Sequence, residues 1–217
     1  MTISIVSGKG GTGKTTFAVN LAWALGNRNA RTPSGERREI RLLDCDVEEP
    51  NAHLFVRPKT TTRDSVTVPK PVWDSDTCIA CGKCASACQF NAIALVKRQV
   101  LIFNDLCHSC GACAHVCPAK AITESPVQIG QVEYAPGHEP FFFAQGILKV
   151  GETLSPVVVD SVKRHIKPEA INILDAAPGT ACPVVRAMDG ADAALLVTES
   201  TPFGLHDLKL AAGLTMK

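Results

Sequence analysis

Residues 8–15 read Gly-Lys-Gly-Gly-Thr-Gly-Lys-Thr and fit the phosphate-loop pattern G-x-x-x-x-G-K-[ST]. An apolar run at 3–6 precedes this loop and helically spaced apolar residues follow it over 15–25, so it joins a predicted strand to a predicted helix. A strand–loop–helix unit of this kind is typical of α/β folds. The octet therefore predicts both the fold class and a site for nucleotide phosphates.

The loop is expected to bind phosphate through its backbone and two of its side chains. Glycines let backbone amides turn toward phosphate oxygens, and the helix N-terminus adds a positive pole. Lys14 supplies charge to the β- and γ-phosphates, and Thr15 offers its hydroxyl to Mg²⁺. We therefore predict ATP or ADP with Mg²⁺ as the ligand, bound by Gly8, Gly10, Gly11, Thr12, Gly13, Lys14, Thr15 and Thr16.

Outward from the loop, predicted strands alternate with predicted helices. Strands are predicted at 40–43, 127–134, 141–150, 170–174 and 193–197, with a hairpin around residues 136–137. Helices are predicted to begin at Ser155 and near Leu205, and the polar segment 27–39 is predicted to be a surface loop. This alternation predicts a mostly parallel, doubly wound α/β sheet.

Eight of the ten cysteines lie in an internal repeat, in which the motif C-x₂-C-x₂-C-x₃-C occurs twice, 29 positions apart. This is the spacing of bacterial ferredoxins with two [4Fe–4S] clusters, in which the fourth cysteine of each motif ligates the other cluster. Structural zinc is the alternative, although zinc sites typically use paired C-x₂-C knuckles at longer separation. The predicted ligands are Cys78, Cys81, Cys84 and Cys117 for cluster I, and Cys88, Cys107, Cys110 and Cys113 for cluster II.

The loop carries a second lysine, Lys9, and residues 9–16 (K-G-G-T-G-K-T-T) resemble a deviant Walker A loop. That loop belongs to the family containing the MinD and ParA partition ATPases and the nitrogenase iron protein. Residues 43–46 (L-D-C-D) are similar to the first switch of that family, and residues 175–179 (D-A-A-P-G) to its second switch. Each aspartate alone is better read as a strand-end cap or turn residue. Three motifs in family order favour function.

The resemblance implies a role for each matched residue. Lys9 would contact the nucleotide across a dimer interface, so a homodimer or a heterodimer with a related ATPase is expected. Asp46 would orient or activate the attacking water, and Asp175 would hold Mg²⁺ through water. The Gly179 amide would sense the γ-phosphate, and Asp44 would support the metal or water shell.

Three further residues are possible site residues. Gln89 and Cys182 each have two interpretations, and Cys45 has a structural one. Gln89 stands where the second motif has Pro118, so its N–H either donates to a cluster sulfur or marks a neutral surface change. Cys182 follows the second switch, where the iron-protein branch has a cysteine that ligates a shared cluster; an inert packed thiol is the default interpretation. Cys45 is predicted to be a small buried apolar residue.

The chain as a whole resembles MinD-superfamily ATPases with an inserted ferredoxin domain. We expect a P-loop ATPase domain over 1–65 and 126–217 and an α+β bacterial-ferredoxin-like domain over 66–125. Relatives continue past the last helix with a strand whose asparagine reads adenine. The second part of the ATPase domain is therefore expected to be C-terminally truncated, with an incomplete base pocket.

The leading functional hypothesis is an ATPase whose nucleotide switch is coupled to iron–sulfur or metal-cluster assembly or transfer. The alternatives are an ATP-gated electron-transfer protein resembling the nitrogenase iron protein, an amidoligase of the cobyrinic acid synthase kind, and a ferredoxin module on a degenerate nucleotide fold. An amidoligase leaves the clusters unexplained. A redox or cluster-accepting protein is the expected partner of the two leading alternatives.

The composition restricts the remaining partners. The 217 residues carry a formal net charge of +1, so there is no basic footprint for nucleic acid. The N-terminus has no basic leader, and no apolar run approaches the length of a membrane span. We therefore expect a cytoplasmic protein that binds no nucleic acid and has no membrane span.

Overall fold

A computed structural model describes residues 1–28, 35, 37–59 and 61–215 of the chain. The chain divides into two compact units. The sheet unit comprises Met1–Ser65, Gly130–Leu148 and Ser155–Lys217, and the cysteine unit comprises Val66–Ile129 and Lys149–Leu154. Residues 29–34 and 36 of the predicted surface loop at 27–39 lie outside the described residues.

The strands of the described residues are β1 Thr2–Val6, β2 Ile40–Cys45, β3 Thr62–Trp73, β4 Ile93–Val96, β5 Gln99–Ile102, β6 Ile122–Ala135, β7 Phe142–Leu148, β8 Ile171–Ala176 and β9 Ala193–Leu196. One sheet has the strand order β3-β6-β7-β2-β8-β1-β9. Its strands β7, β2, β8, β1 and β9 are parallel, and β6 is antiparallel to β7. The predicted mostly parallel α/β sheet and the predicted hairpin are confirmed.

The α-helices of the described residues are α1 Lys14–Asn27, α2 Ala52–Val56, α3 Lys83–Ala87, α4 Ala112–His115, α5 Ser155–Lys163, α6 Cys182–Met188 and α7 Pro202–Thr215. The predicted start at Ser155 is confirmed. The last helix begins at Pro202 rather than near Leu205, because the fixed φ of proline suits the first turn of a helix. Throughout the described ranges, every helix is too short or too polar to cross a membrane.

The core of the sheet unit is built around β2. All six residues of this strand are buried, so both faces of the sheet are covered there, as parallel sheets require. Helix α1 packs on β1, β2 and β8, with Ala18 and Ala22 in the same apolar cluster as Leu42 and Ile173. Helix α5 packs on β7 and β2.

Strand β3 is the longest element that the sequence does not predict. Pro69 and Pro71 lie within it, and proline removes a donor from the hydrogen-bond ladder. The strand lies at the edge of the sheet, where one side has no ladder to complete, so the prolines are tolerated. Helices α2 and α6 were also not predicted, because five and seven residues are too few to show a helical period.

The cysteine unit contains the antiparallel hairpin β4–β5, the helices α3 and α4, and a 3-10 helix at Asn104–Leu106. A buried ion pair holds the segment Lys149–Leu154 in this unit. The Lys70 side chain is 1% exposed, and its Nζ donates to both carboxylate oxygens of Glu152 at 2.9 and 2.8 Å. The same Nζ donates to the carbonyl oxygen of Asn104 at 2.9 Å.

Candidate functional site

The predicted phosphate loop lies between β1 and α1, at the carboxyl end of β1. Gly11 and Gly13 have φ of 76° and 91°, a left-handed conformation that glycine adopts without strain. The hydroxyl of Ser7 donates to the carbonyl oxygen of Lys9 at 2.6 Å, and the Phe17 amide donates to the Gly13 carbonyl at 2.9 Å. These bonds order the loop and begin the first turn of α1.

Gly8 has a second reason to be glycine, which the phosphate-loop pattern does not reveal. A Cβ at this position would lie 2.3 Å from the carbonyl oxygen of Asp207 in α7. The first glycine of the loop is therefore required by the close approach of the last helix. Gly10 has nothing within 4 Å of the corresponding position, so the two glycines differ in their steric environment.

Lys14 brings the loop together with three predicted aspartates. Lys14 is 7% exposed, and this burial lowers the pKa of its ammonium group. The negative charges of Asp175, Asp46 and Asp44 act in the opposite direction. The parallel register of β2 and β8 sets Asp44 directly opposite Asp175. The strand ends and the loop thus form one charged site at a single edge of the sheet.

Asp175 is completely buried, and neither of its carboxylate oxygens accepts a hydrogen bond from the described residues. Burial raises its pKa to about 6. The Thr15 hydroxyl lies close enough to lower that pKa, but it does not reach normal hydrogen-bond geometry with either oxygen. An unpaired buried carboxylate beside a threonine hydroxyl is an oxygen donor set that suits Mg²⁺, so these residues fit the predicted ion.

Asp44 is also completely buried, but its oxygens are occupied. They accept the backbone amides of Asp46 at 3.0 Å, Asn51 at 3.1 Å and Ala52 at 3.0 Å. Burial, followed by the charge of Asp175, raises the pKa of Asp44 well above its ordinary value. The side chain thus shapes the segment between β2 and α2.

Asp46 is half-buried beside Lys14. Burial raises its pKa to about 6, while the Glu49 backbone amide and the Lys14 charge act in the opposite direction. Gly179 has φ of 92°, and its amide donates to the Ser7 carbonyl at 2.9 Å. The amide predicted to sense the γ-phosphate thus donates to the residue that joins β1 to the phosphate loop.

Lys9 forms an ion pair with Glu199 of the same chain. Glu199 lies in the segment after β9, and the hydroxyl of Thr201 also donates to its Oε1, at 2.7 Å. The acceptor was not predicted, because nothing in the local pattern of either residue indicates a contact across 190 positions of sequence. The signature lysine therefore has an intrachain partner here.

The predicted cluster I ligands meet in the cysteine unit. Cys78, Cys81, Cys84 and Cys117 line one cavity together with Trp73. Burial and then the nearby Cys117 and Cys78 raise the pKa of the Cys84 thiol. Three members of the predicted cluster II set are also neighbours, because burial and then Cys107 and Cys110 raise the pKa of the Cys113 thiol. The structure thus brings together the four thiols of the first predicted set and three of the second.

The two motifs have matching backbone geometry. Left-handed residues recur at the same offset, as the pairs Ala80 and Ser109, Gly82 and Gly111, and Asn91 and Lys120. Backbone amides donate to thiols at equivalent positions, with Ala80 N to Cys78 Sγ and Ser109 N to Cys107 Sγ at 3.4 Å each. Ala92 N to Cys88 Sγ at 3.3 Å matches Ala121 N to Cys117 Sγ at 3.2 Å.

These thiols and their amide donors are the surroundings that a cysteine-ligated [4Fe–4S] cluster needs, since hydrogen bonds to sulfur are part of such sites. Within the part of the chain that is described, no three Cys, His, Asp or Glu side chains converge closely enough to hold a single metal ion. The thiols of the cluster I set line a cavity instead.

Sequence reasoning missed two aromatic features of the cysteine unit. Trp73 lines the cluster I cavity, although it precedes the first cysteine by five positions. The Phe90 and His108 rings stack at 3.9 Å with an interplanar angle of 12°, and each residue is close in sequence to a predicted cluster II ligand. Cys45 is completely buried, as expected. Cys182 is exposed at the start of α6, so the prediction of a packed thiol is wrong.

Comparison with known proteins gives two overlapping matches that together include parts of both units. Residues 72–124 match the family described as a 4Fe-4S dicluster domain, and residues 1–87 match ParA, described as NUBPL iron-transfer P-loop NTPase. The chain is 35% identical over 209 residues to the uncharacterized protein MJ0578 of Methanocaldococcus jannaschii, covering 95% of this chain and 70% of the relative. It is 33% identical over 214 residues to MJ0579 of the same organism, covering 96% and 73%.

A solved structure gives a further similarity of fold. The septum site-determining protein MinD from Pyrococcus horikoshii, complexed with Mg-ADP, superposes with a TM-score of 0.51 at 21% identity. The match covers 100% of this chain, which spans 66% of the length of that protein.

Proposed function

The chain belongs to the MinD/ParA superfamily of P-loop NTPases, in the family of MJ0578 and MJ0579, and carries a 4Fe-4S dicluster domain; on this premise we propose that it is an ATP-hydrolysing iron–sulfur protein. In this proposal a nucleotide switch is coupled to the assembly or transfer of iron–sulfur or related metal clusters. The expected cofactors are two [4Fe–4S] clusters and ATP or ADP with Mg²⁺.

In the proposed ATPase, residues of the phosphate loop bind the nucleotide and its metal ion. The loop amides and Lys14 would hold the β- and γ-phosphates, and Thr15 with Asp175 would hold Mg²⁺. The ion would neutralise charge on the phosphate oxygens. Asp46 would hold the attacking water, since its carboxylate lies near Lys14 and is not fully buried.

The order of the segments along the chain supports the proposed coupling between the bound nucleotide and the clusters. After Asp46 the chain forms α2 and enters the cysteine unit through β3. It returns through β6, and Asp175 follows at the end of β8. The cysteine repeat is therefore inserted between the two segments expected to change with the γ-phosphate, and such segments have two discrete arrangements. A change of nucleotide is thus expected to reach the clusters.

One observation favours a second candidate, an ATP-gated electron-transfer protein. The two predicted ligand sets contain four cysteines for each cluster, so neither set needs a ligand from an acceptor protein. A fully ligated cluster is suited to be retained and to exchange electrons. In both candidates the chain would act in the cytoplasm as a nucleotide-dependent homodimer, or as a heterodimer with a related ATPase, and would serve a redox or cluster-accepting protein.

Anaerobic reconstitution followed by iron, sulfide and ATP-turnover assays tests the proposal. We expect about eight iron atoms per chain, from two four-iron clusters. Cys81→Ala and Cys110→Ala should each lose mainly one cluster, so each variant is the matched control for the other. Stoichiometric zinc without charge-transfer absorption would overturn the cluster assignment. Absence of turnover in a loaded protein that binds ATP would overturn the ATPase assignment.

The same preparation separates the two candidates. Incubation with ATP and an apo-ferredoxin acceptor should move iron and sulfide to the acceptor if the chain transfers clusters. Retention of all iron, together with an ATP-dependent change in reduction potential, would support electron transfer instead.

A further inference from the structure

The internal repeat allows each cluster environment to be compared with the other, residue by residue. The strand end before each motif is pinned in the same way, by Asp74 N to Ala121 O at 2.9 Å and by Phe103 N to Ala92 O at 2.8 Å. The four amide-to-thiol bonds also match in pairs. Apart from the N–H of Gln89, which Pro118 lacks, these backbone donors are equivalent, so the remaining differences between the two cluster sites come from side chains.

Two side-chain donors break the equivalence. Trp73 stands where the second repeat has Ile102, and Ser109 stands where the first repeat has Ala80. Both substitutions place a hydrogen-bond donor at one site and an apolar side chain at the other. Each site thus has one buried side-chain donor, without a partner among the described residues, that its counterpart lacks.

The Trp73 indole has no acceptor among the described residues, although its Nε1 is buried. The ring lines the same cavity as the four cluster I cysteines. A buried donor without a partner is unfavourable, so an unpaired donor at a cavity indicates an acceptor that fills it. Cluster and thiolate sulfurs are such acceptors.

Ser109 carries the corresponding unpaired donor at the second site. Its Oγ is buried and has no partner within the described ranges, and the residue lies between Cys107 and Cys110. Its own amide already donates to Cys107 Sγ. The hydroxyl is therefore the additional donor beside a predicted cluster II ligand.

We propose that Trp73 Nε1 and Ser109 Oγ each donate a hydrogen bond to one cluster, Trp73 to cluster I and Ser109 to cluster II, and so set the two reduction potentials separately. The inference rests on the two clusters of the proposed function. One-electron reduction adds a negative charge at the site, and a hydrogen-bond donor stabilises the more negative state. Each donor is therefore expected to raise the potential of its own cluster only.

Pulsed EPR on protein labelled with ¹⁵N in the indole ring tests the Trp73 contact directly. The chain has two tryptophans, and Trp23 lies in α1 of the sheet unit, so Trp23→Phe is the matched control. In the dithionite-reduced, reconstituted full chain we expect a ¹⁵N hyperfine coupling that survives Trp23→Phe and is lost in Trp73→Phe. A reduced four-iron signal without ¹⁵N coupling in the unsubstituted protein would overturn the Trp73 assignment, even if Trp73→Phe fails to fold.

EPR-monitored redox titration tests both donors. Trp73→Phe keeps an aromatic ring and removes the N–H, and Ser109→Ala copies the residue found at the equivalent position 80, where φ is 55° against 53° at Ser109. Each substitution should lower the equilibrium constant for reduction of one cluster about tenfold. For a one-electron couple this lowers the midpoint potential of that cluster by about 59 mV. The two substitutions should affect different signals, and the double variant should shift both.

Iron and sulfide analysis keeps this test separate from the proposed function. A chain without clusters contradicts the proposed function before any potential is measured. A chain with both clusters whose two potentials are unchanged by Trp73→Phe and Ser109→Ala contradicts the tuning proposal alone.

Discussion

Asp44 and Asp175 lie opposite each other on the neighbouring parallel strands β2 and β8, and both side chains are completely buried. Their oxygens are used differently. Asp44 accepts three backbone amides, whereas Asp175 accepts none from the described residues. One carboxylate of the pair therefore orders the segment after β2, and the other is left available for a cation.

We expect Asp175→Asn to change how stability depends on pH in the metal-free and nucleotide-free protein. Burial raises the pKa of Asp175 to about 6, so the folded state binds this proton more tightly than the unfolded chain does. The resulting stability is present at low pH and is lost as the pH rises through about 6. Between pH 5 and pH 7 the wild type should lose about 1 kcal/mol more than the variant in urea unfolding.

The comparison between the two proteins cancels the contribution of groups that do not interact with Asp175, while the effect of its charge on the pKa of Asp44 remains part of the difference. An identical pH dependence in wild type and Asp175→Asn would show that this carboxyl titrates normally in the folded state.

Lys9→Ala is expected to retain nucleotide binding and to lose ATP turnover. The loop amides and Lys14 already surround the phosphate position, so Lys9 is expected to act on charge that develops during hydrolysis. We expect kcat to fall by about 10²–10³-fold, with the Kd for ATP changed by less than about tenfold. Turnover assays and equilibrium titration with a fluorescent ATP analogue measure the two quantities.

Lys14→Ala is the control for Lys9, because its buried ammonium lies within the phosphate site and its loss should abolish binding. Equal losses of binding and turnover in Lys9→Ala would assign Lys9 to the ground-state complex instead.

Gly8→Ala and Gly10→Ala form a matched pair in one loop. A methyl group at position 8 would lie 2.3 Å from the Asp207 carbonyl, so α7 or the loop would have to move. We expect a loss of roughly 1–3 kcal/mol in the free energy of unfolding, the usual cost of overpacking. Gly10→Ala meets nothing within 4 Å and should unfold like the wild type in urea. Equal stabilities for the two variants would mean that α7 does not contact Gly8 in solution.

The reduction potential of each cluster should change when ADP is replaced by a non-hydrolysable ATP analogue. The cysteine repeat is inserted between the two predicted switch segments, and cluster potential depends on exposure and nearby charge. Typical coupling energies of about 1–3 kcal/mol correspond to a shift of roughly 40–130 mV for one electron. Identical potentials, in a protein shown to bind both nucleotides, would mean that the cysteine unit carries its clusters passively.

The sequence predicted the features that depend on neighbouring residues. The phosphate loop needs only eight consecutive residues, and the cysteine repeat is a spacing along the chain, so both could be read without a structure. The strand that ends in Asp175 was also predicted, because a buried parallel strand reads as a continuous apolar run. These signals are local, and tertiary contacts did not override them.

The features that were missed depend on contacts between distant parts of the chain. The prolines of β3 are tolerated because the strand lies at the sheet edge, and no local pattern gives strand order. The ion pair of Lys9 with Glu199 and the approach of Asp207 to Gly8 both join the first loop to the end of the chain. Trp73 was missed because its importance follows from the unpaired indole N–H rather than from the residue type.

The buried pair of Lys70 and Glu152 limits how the cysteine unit can be moved to another protein. A fragment cut at residues 66 and 129 would contain every predicted cluster ligand but would leave the Lys70 ammonium without its carboxylate. Removing one partner of a buried pair typically costs about 3–5 kcal/mol, which is comparable to the whole stability of a small domain. The cysteine unit is therefore contiguous in its metal chemistry but discontinuous in its folding, and a portable version needs residues 149–154 grafted back.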